Sequence, residues 1–246
     1  MGGSPAQPAR IVTAAALFDG HDAAINLVRR LLVAQGAQVV HLGHDRSVAE
    51  IVKAAVEEDA DAVCVSSYQG GHVEFFTYLV ACLRAAGAAR VKVFGGGGGV
   101  ILPAEAARLE AEGVEKIYTP GDGMRLGVEG MIRDLLERLP RRSAGPAPAG
   151  ELPSWSDRRA LSARLTAALA GGPGADALPP GPAEAPVLGL TGTGGAGKSS
   201  LCDELVRRFL LDDPDLRIGV VAIDPTRKRT GGALLGDRLR MNAAGH

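Results

Sequence analysis

Apolar and polar positions follow two rhythms over the first 139 residues of the chain. Short apolar runs at 11–17, 38–41, 62–65, 91–94 and 116–118 are bounded by turn-forming residues, which predicts strands. Between the runs, apolar residues recur at helical spacing, as at Ile25, Val28, Leu31 and Leu32. Gly36 is placed to stop that helix, and Ser47 with Glu50 forms a capping box that opens the next. The result is five βα units.

Alternating units of this kind predict an α/β fold, a doubly wound, flavodoxin-like parallel sheet of order 2-1-3-4-5 over residues 11–140, preceded by a flexible tail at 1–10. After Leu139 the composition turns to Pro, Ala, Gly and Arg, which predicts a linker over 141–186. Within it the stretch from Trp155 to Leu169 is amphipathic, and Trp155, Leu161, Leu165 and Leu169 are placed to dock one helix on a neighbour. A second α/β pattern starts at Val187 and shows two strand-like runs before His246. It predicts the N-terminal part of a P-loop NTPase domain over 187–246.

Charge and composition narrow the function classes. The 27 basic and 28 acidic residues nearly cancel, so neither nucleic acid nor a membrane surface is an expected partner. Cys64, Cys82 and Cys202 are far apart and lack zinc or disulfide spacing. With no apolar run long enough to span a bilayer and no signal-peptide core, the expectation is a soluble, cytoplasmic protein.

In a 2-1-3-4-5 sheet, strands 1 and 3 are neighbours whose connections leave in opposite directions, and ligands bind in the crevice beyond their carboxyl ends. The loops facing this crevice are Phe18-Asp19-Gly20-His21-Asp22 and Ser66-Ser67-Tyr68-Gln69-Gly70-Gly71-His72. A carboxylate two residues before a histidine can take one ring N–H and leave the other nitrogen for a metal. A single histidine does not make a metal cage, so axial ligation of a metal carried by a macrocycle is the better inference, with a turn histidine as the alternative. Gly70, Gly71 and the run Gly95 to Gly99 lie on the same sheet edge and would let a bulky ligand approach the backbone. His41 and His44 read as ordinary strand-end histidines, and His72 either touches the ligand or starts a helix.

At these residues the chain resembles the cobalamin-binding domain of adenosylcobalamin-dependent acyl-CoA mutases. The motifs that carry the likeness are Asp19-Gly20-His21 with Asp22, Ala23 and Ala24, then Ser66-Ser67-Tyr68, the Gly95 run, and Thr119-Pro120-Gly121. The resemblance implies a cobalamin bound base-off, with His21 on cobalt and Asp19, Gly20, Asp22, Ser66, Tyr68, Gly70, Gly71, Gly95, Gly96 and Thr119 around the cofactor. Ala24 replaces a usual glycine and Tyr68 a frequent leucine. With the Gly71-His72-Val73-Glu74-Phe75-Phe76 segment, these departures look like the fused isobutyryl-CoA mutase branch.

Gly192-Thr193-Gly194-Gly195-Ala196-Gly197-Lys198-Ser199 matches a P-loop, follows an apolar run and precedes the helical pattern of Leu201, Leu205 and Phe209. Backbone N–H groups of Gly192, Gly194, Gly195, Ala196 and Gly197 and the helix start at Ser199 and Ser200 would hold phosphates, with Lys198 on the β and γ oxygens and Ser199 on Mg²⁺. Gly192, Gly194 and Gly197 also fit a dinucleotide turn, but that turn needs no lysine and hydroxyl. From Val187 the chain resembles the G-protein chaperones of cobalamin-dependent mutases, which implies GTP and places Asp224 and Asp237 near Mg²⁺ or a switch. No guanine reader or Walker B strand follows, so the expectation is a fragment with little nucleotide hydrolysis.

The resemblances together imply the cofactor-binding portion of an isobutyryl-CoA/n-butyryl-CoA mutase. Its acyl-CoA substrate would bind in a separate barrel, the complete protein would be a homodimer, and this portion would be inactive alone. The alternatives are a corrinoid carrier or sensor and a GTPase chaperone of a methylmalonyl-CoA-type mutase.

Overall fold

The computed structural model describes residues 8–21, 23–140, 154, 157–169, 186–193 and 196–221. Five strands, β1 (Arg10–Ala16), β2 (Gln38–Arg46), β3 (Ala62–Ser66), β4 (Lys92–Gly96) and β5 (Lys116–Tyr118), form one sheet of order β2-β1-β3-β4-β5. Every neighbouring pair is parallel, as crossover helices require.

The helices cover both faces. α2 (Val48–Glu57), α3 (His72–Ala85) and α4 (Pro103–Glu112) enclose one apolar cluster that includes Ile51, Phe76, Leu79 and Leu109. α1 (Ala23–Ala34) and α5 (Pro120–Glu137) enclose the other, with Ile25, Leu32, Ile132 and Leu135. Because both faces are covered, β1 and β3 are buried almost throughout, which is why they read as continuous rather than alternating apolar runs.

Two strands depart from expectation. β2 continues past His41 to Arg46, through polar residues that break the apolar run; Gly43 and Asp45 hold left-handed backbone there, and the β1–β2 register shifts twice. β4 includes Gly95 and Gly96, which the sequence placed in a loop. A Cβ on Gly95 would lie 2.5 Å from Phe76 Cζ and 2.6 Å from Ile117 Cδ1, on the core side of the sheet. This glycine therefore serves close packing inside the domain. Gly95→Ala is expected to cost about 1–3 kcal/mol, the usual price of overpacking, as measured by denaturant unfolding of the two proteins.

The helix predicted in the linker is present as α6 (Arg158–Leu169), and it packs on α2 as part of the first of two compact units. The face it uses differs from the expected apolar stripe. Ser162 and Arg164 are buried while Leu165 is 57 % exposed. Ser162 Oγ donates to the Glu57 carbonyl oxygen (2.8 Å), and Arg158 lies 3.4 Å from the Glu57 carboxylate. A carbonyl in the last turn of α2 has no partner within its own helix, so a hydroxyl donor there decides which side of α6 docks. Trp155 lies outside the described residues.

In the second unit α7 (Lys198–Asp212) follows a left-handed Gly197, giving the loop-to-helix step expected of a P-loop. The apolar runs on either side, expected as strands, have no ladder among the described residues, and Val187 and Val221 are almost fully exposed. A strand exists only with a partner for its N–H and C=O groups, and no described segment supplies one.

Candidate cofactor site

The β1–α1 turn is built around Asp19, a carboxylate only 1 % exposed. Its Oδ1 accepts from the His21 backbone N–H and from His21 Nδ1, both at 2.9 Å, and its Oδ2 accepts from the Tyr68 backbone N–H at 2.6 Å. An ionised carboxylate only accepts, so Nδ1 carries the ring proton and Nε2 keeps a free lone pair. The imidazole itself is 78 % exposed. The turn thus holds a histidine by one nitrogen and presents the other to solvent at the switch point between β1 and β3.

Sequence reasoning missed Asp45. The extension of β2 brings its carboxylate within 2.7 Å of the Phe18 N–H, and its own N–H points at the Asp19 carbonyl oxygen at 3.4 Å. Phe18 has left-handed backbone and is 83 % exposed. The only signal for this support was Gly43, whose conformational freedom lets β2 bend toward the turn.

Beside the turn, a cavity of about 240 Å³ opens between α1, the ends of β3, β4 and β5, and α5. Its walls are mainly apolar: Ile25 and Val28 from α1, Phe94 from β4, and Met131, Ile132 and Leu135 from α5. Phe94 and Tyr118 stack with centroids 6.5 Å apart and planes 14° from parallel. Burial, with the Asp134 carboxylate that accepts from Tyr118 Oη at 2.8 Å, pushes this phenol up and keeps it neutral. Burial also pushes the Cys64 thiol up, so it lines the wall as an unreactive apolar group.

One polar group in this wall is unsatisfied. Ser66 Oγ is buried and has no hydrogen-bond partner, a state that carries a desolvation cost unless a ligand supplies a partner. Thr119 also lines the cavity, but its hydroxyl is engaged with Asp122, donating to Oδ2 at 3.0 Å as it caps α5. Gly96 lines the cavity with its Cα, on the same side of β4 as Phe94 by strand alternation. Ala24, the departure from the usual glycine, adds a methyl to the wall.

The structure therefore brings Asp19, His21, Ser66, Tyr68, Gly96 and Thr119 to one edge of the sheet. Gly20 lies in the turn, where a Cβ would meet nothing within 4 Å. Gly95 lines the cavity by its backbone while its Cβ direction faces the opposite core. Gly70 and Gly71 do not line the cavity: Gly71 caps α3, and its N–H donates to Gln69 Oε1. His72 is turned away as well, buried at the start of α3 and held between the Gln69 carbonyl (3.2 Å) and Glu105 of α4 (3.1 Å). His41 pairs with Thr13 within the sheet. Asp22 lies outside the described residues.

In the second unit, Lys198 Nζ donates to the Thr193 carbonyl oxygen of its own loop at 2.7 Å. Ala196, Gly197, Ser199 and Ser200 surround the start of α7, and Gly192 begins the loop. Gly194, Gly195, Asp224 and Asp237 lie outside the described residues. Among the described residues no three His, Cys, Asp or Glu side chains gather as a metal site, and no helix is long and apolar enough to cross a membrane.

Comparison with known proteins accords with both halves. Residues 9–127 match the B12 binding domain family, and residues 176–245 match the methylmalonyl Co-A mutase-associated GTPase MeaB family. The chain is 56 % identical to a fused isobutyryl-CoA mutase of Nocardia farcinica and 53 % identical to one of Cupriavidus metallidurans, alignments covering 97 % and 100 % of this chain. It spans 23 % of the length of each of these relatives. Over 47 % of its length it is 32 % identical to the pivalyl-CoA mutase small subunit of Xanthobacter autotrophicus, covering 76 % of that protein. The chain belongs, through its first unit, to the acyl-CoA mutase small-subunit family with a B12 binding domain, and along nearly its whole length it is similar to fused isobutyryl-CoA mutases.

Proposed function

We propose that the first unit binds adenosylcobalamin base-off, with His21 Nε2 as the atom that would hold the cobalt and the cavity beside it as the place that would hold the nucleotide base. The observation that carries this reading is the pairing of an exposed imidazole, oriented by a buried carboxylate, with an apolar cavity holding one unsatisfied hydroxyl. Such a cavity suits a flat aromatic base bearing a ring nitrogen, for which Ser66 Oγ is a donor. Phe94 and Tyr118 supply aromatic wall, and Asp19 fixes the tautomer that leaves Nε2 free.

When bound, the cobalamin supplies a cleavable cobalt–carbon bond for carbon-skeleton rearrangement. This chain's own part is to hold the ligand's lower face and its tail. The acyl-CoA, of isobutyryl or n-butyryl type, is bound by a catalytic barrel supplied elsewhere in the assembly. The second unit's Gly192–Ser199 loop binds GTP with Mg²⁺ through Lys198 and Ser199, once the lysine exchanges its Thr193 contact for phosphate.

Loading the 15N-labelled chain with cob(II)alamin tests the reading. Binding is expected to convert the three-line nitrogen coupling of the free cofactor, which comes from its own base, into the two-line coupling of a protein 15N, with saturation at one cobalamin per chain. A three-line pattern that persists at saturation would overturn it.

A further inference from the structure

We propose that Tyr68 is a positioning residue for the axial histidine, setting the rotation of the His21 ring. The proposal rests on the reading that His21 Nε2 ligates cobalt. The covalent bond to Cβ and the Nδ1 hydrogen bond to Asp19 anchor one edge of the ring, and the tilt of the Nε2 edge is left to whatever packs against the ring. Metal ligation demands more, because the Nε2 lone pair lies in the ring plane and must point at the metal. With 78 % of its side chain exposed, His21 has little around it to define that plane.

Tyr68 supplies the missing contact. Its ring centroid lies 5.6 Å from that of His21, with the planes tilted by 41°, within the range of attractive aromatic pairs. Among the described residues it is the aromatic ring that meets His21. Tyr68 is itself fixed from two sides. Its backbone N–H donates to the same Asp19 carboxylate, at 2.6 Å. Its ring lies over Gly98, where a Cβ would come 2.9 Å from Tyr68 Cε1. Gly98 has φ +57, so the loop that receives the ring uses a glycine for its conformation as well as for its lack of a side chain.

One carboxylate thus orients the ligand by a side-chain bond and orients the ligand's neighbour by a backbone bond. Because Tyr68 also lines the tail cavity, the ring that restrains His21 is part of the wall that a bound base would touch. A leucine at this position offers no flat face to the imidazole, so the tyrosine makes the His21 ligand of this chain better defined in angle.

The test uses the full chain with Tyr68→Phe, Tyr68→Leu and Tyr68→Ala, each loaded with cob(II)alamin and compared by electron paramagnetic resonance. With the chain 15N-labelled, the parent spectrum is expected to show the two-line superhyperfine coupling of one protein nitrogen in place of the three-line coupling of the cofactor's own base. Tyr68→Phe keeps the ring and should match the parent. Tyr68→Ala should lower the ratio of histidine-ligated to unligated cofactor by about threefold to tenfold, the size of a lost aromatic contact, and broaden the cobalt lines as the ligand angle spreads. Tyr68→Leu should fall between them.

A purely structural role would lower the melting temperature and leave the spectrum of the bound fraction unchanged. Superimposable spectra for Tyr68→Ala and the parent overturn the proposal. Absence of the 15N coupling in the parent itself overturns the His21 reading and this inference with it, so the two failures are distinct.

Discussion

Replacing His21 by alanine is expected to remove the protein-nitrogen coupling from the cob(II)alamin spectrum while leaving the melting temperature close to that of the parent. The imidazole is mostly exposed, and its loss removes one hydrogen bond from a turn that keeps others, among them those of Phe18 with Asp45, of the His21 backbone with Asp19 and of Tyr68 with Asp19. Asp19→Asn should behave differently. An amide can accept from the histidine through its oxygen, but its NH₂ then faces the Tyr68 N–H, a donor against a donor. Affinity for cobalamin should fall on the order of 10 to 100-fold, the range for losing a group that orients a metal-bound histidine. Stability should fall as well, because the carboxylate is buried and accepts three hydrogen bonds. If His21→Ala preserves the coupling of a 15N-labelled protein nitrogen, another residue is the ligand.

The second large effect is expected from Gly96→Val, which places a branched side chain in the cavity. Its backbone lies in β4, and a Cβ there would meet only the Tyr118 carbonyl oxygen, at 3.4 Å, so the sheet can carry the substitution. The displaced base would lose its seat. Burying roughly 120 Å² of apolar surface at about 25 cal/mol per Å² contributes about 3 kcal/mol, or about 100-fold in affinity. Cobalamin binding should therefore weaken by about that factor, while cobinamide, which lacks the nucleotide tail, should bind parent and variant alike. Calorimetry of the four pairs decides the matter: equal losses for both corrinoids would mean that the cavity does not hold the tail.

Much of the first unit was legible because parallel strands buried on both faces leave apolar runs that periodicity detects, and the D-x-H spacing marks a turn whose carboxylate reaches the imidazole. The extension of β2 was not legible. Its last residues are held by backbone ladder bonds to β1 rather than by apolar burial, so Asp45, which braces the turn, carried no pattern. The five successive glycines from Gly95 to Gly99 likewise hid two different jobs. Only the alternation of β4 separates Gly95, which keeps Phe76 and Ile117 in place, from Gly96, which opens the cavity.

The α5 wall was invisible for another reason. Met131, Ile132 and Leu135 form an apolar stripe, and periodicity does not separate a stripe that meets a core from one that leaves room for a ligand. The docked face of α6 was misread because hydrophobicity was weighed and the Glu57 carbonyl at the end of α2, which accepts from Ser162, was not. His72 admitted two readings until the position of Glu105 was known.

The brace at Asp45 sits on β2, the outermost strand of the sheet, and so ties the ligand turn to the element with a single neighbouring strand. Edge strands open more readily than central ones, and amide exchange reports that opening. Phe18 and Asp45, both in left-handed backbone, hold strained conformations whose cost, on the order of 1–2 kcal/mol per residue, favours such opening. Occupancy of the turn should then slow deuterium uptake along 43–46, on the far side of β1 from the cavity, by more than it slows uptake in β3. The outer edge of the sheet becomes a remote gauge of whether the histidine is engaged, readable by mass spectrometry without any signal from the metal.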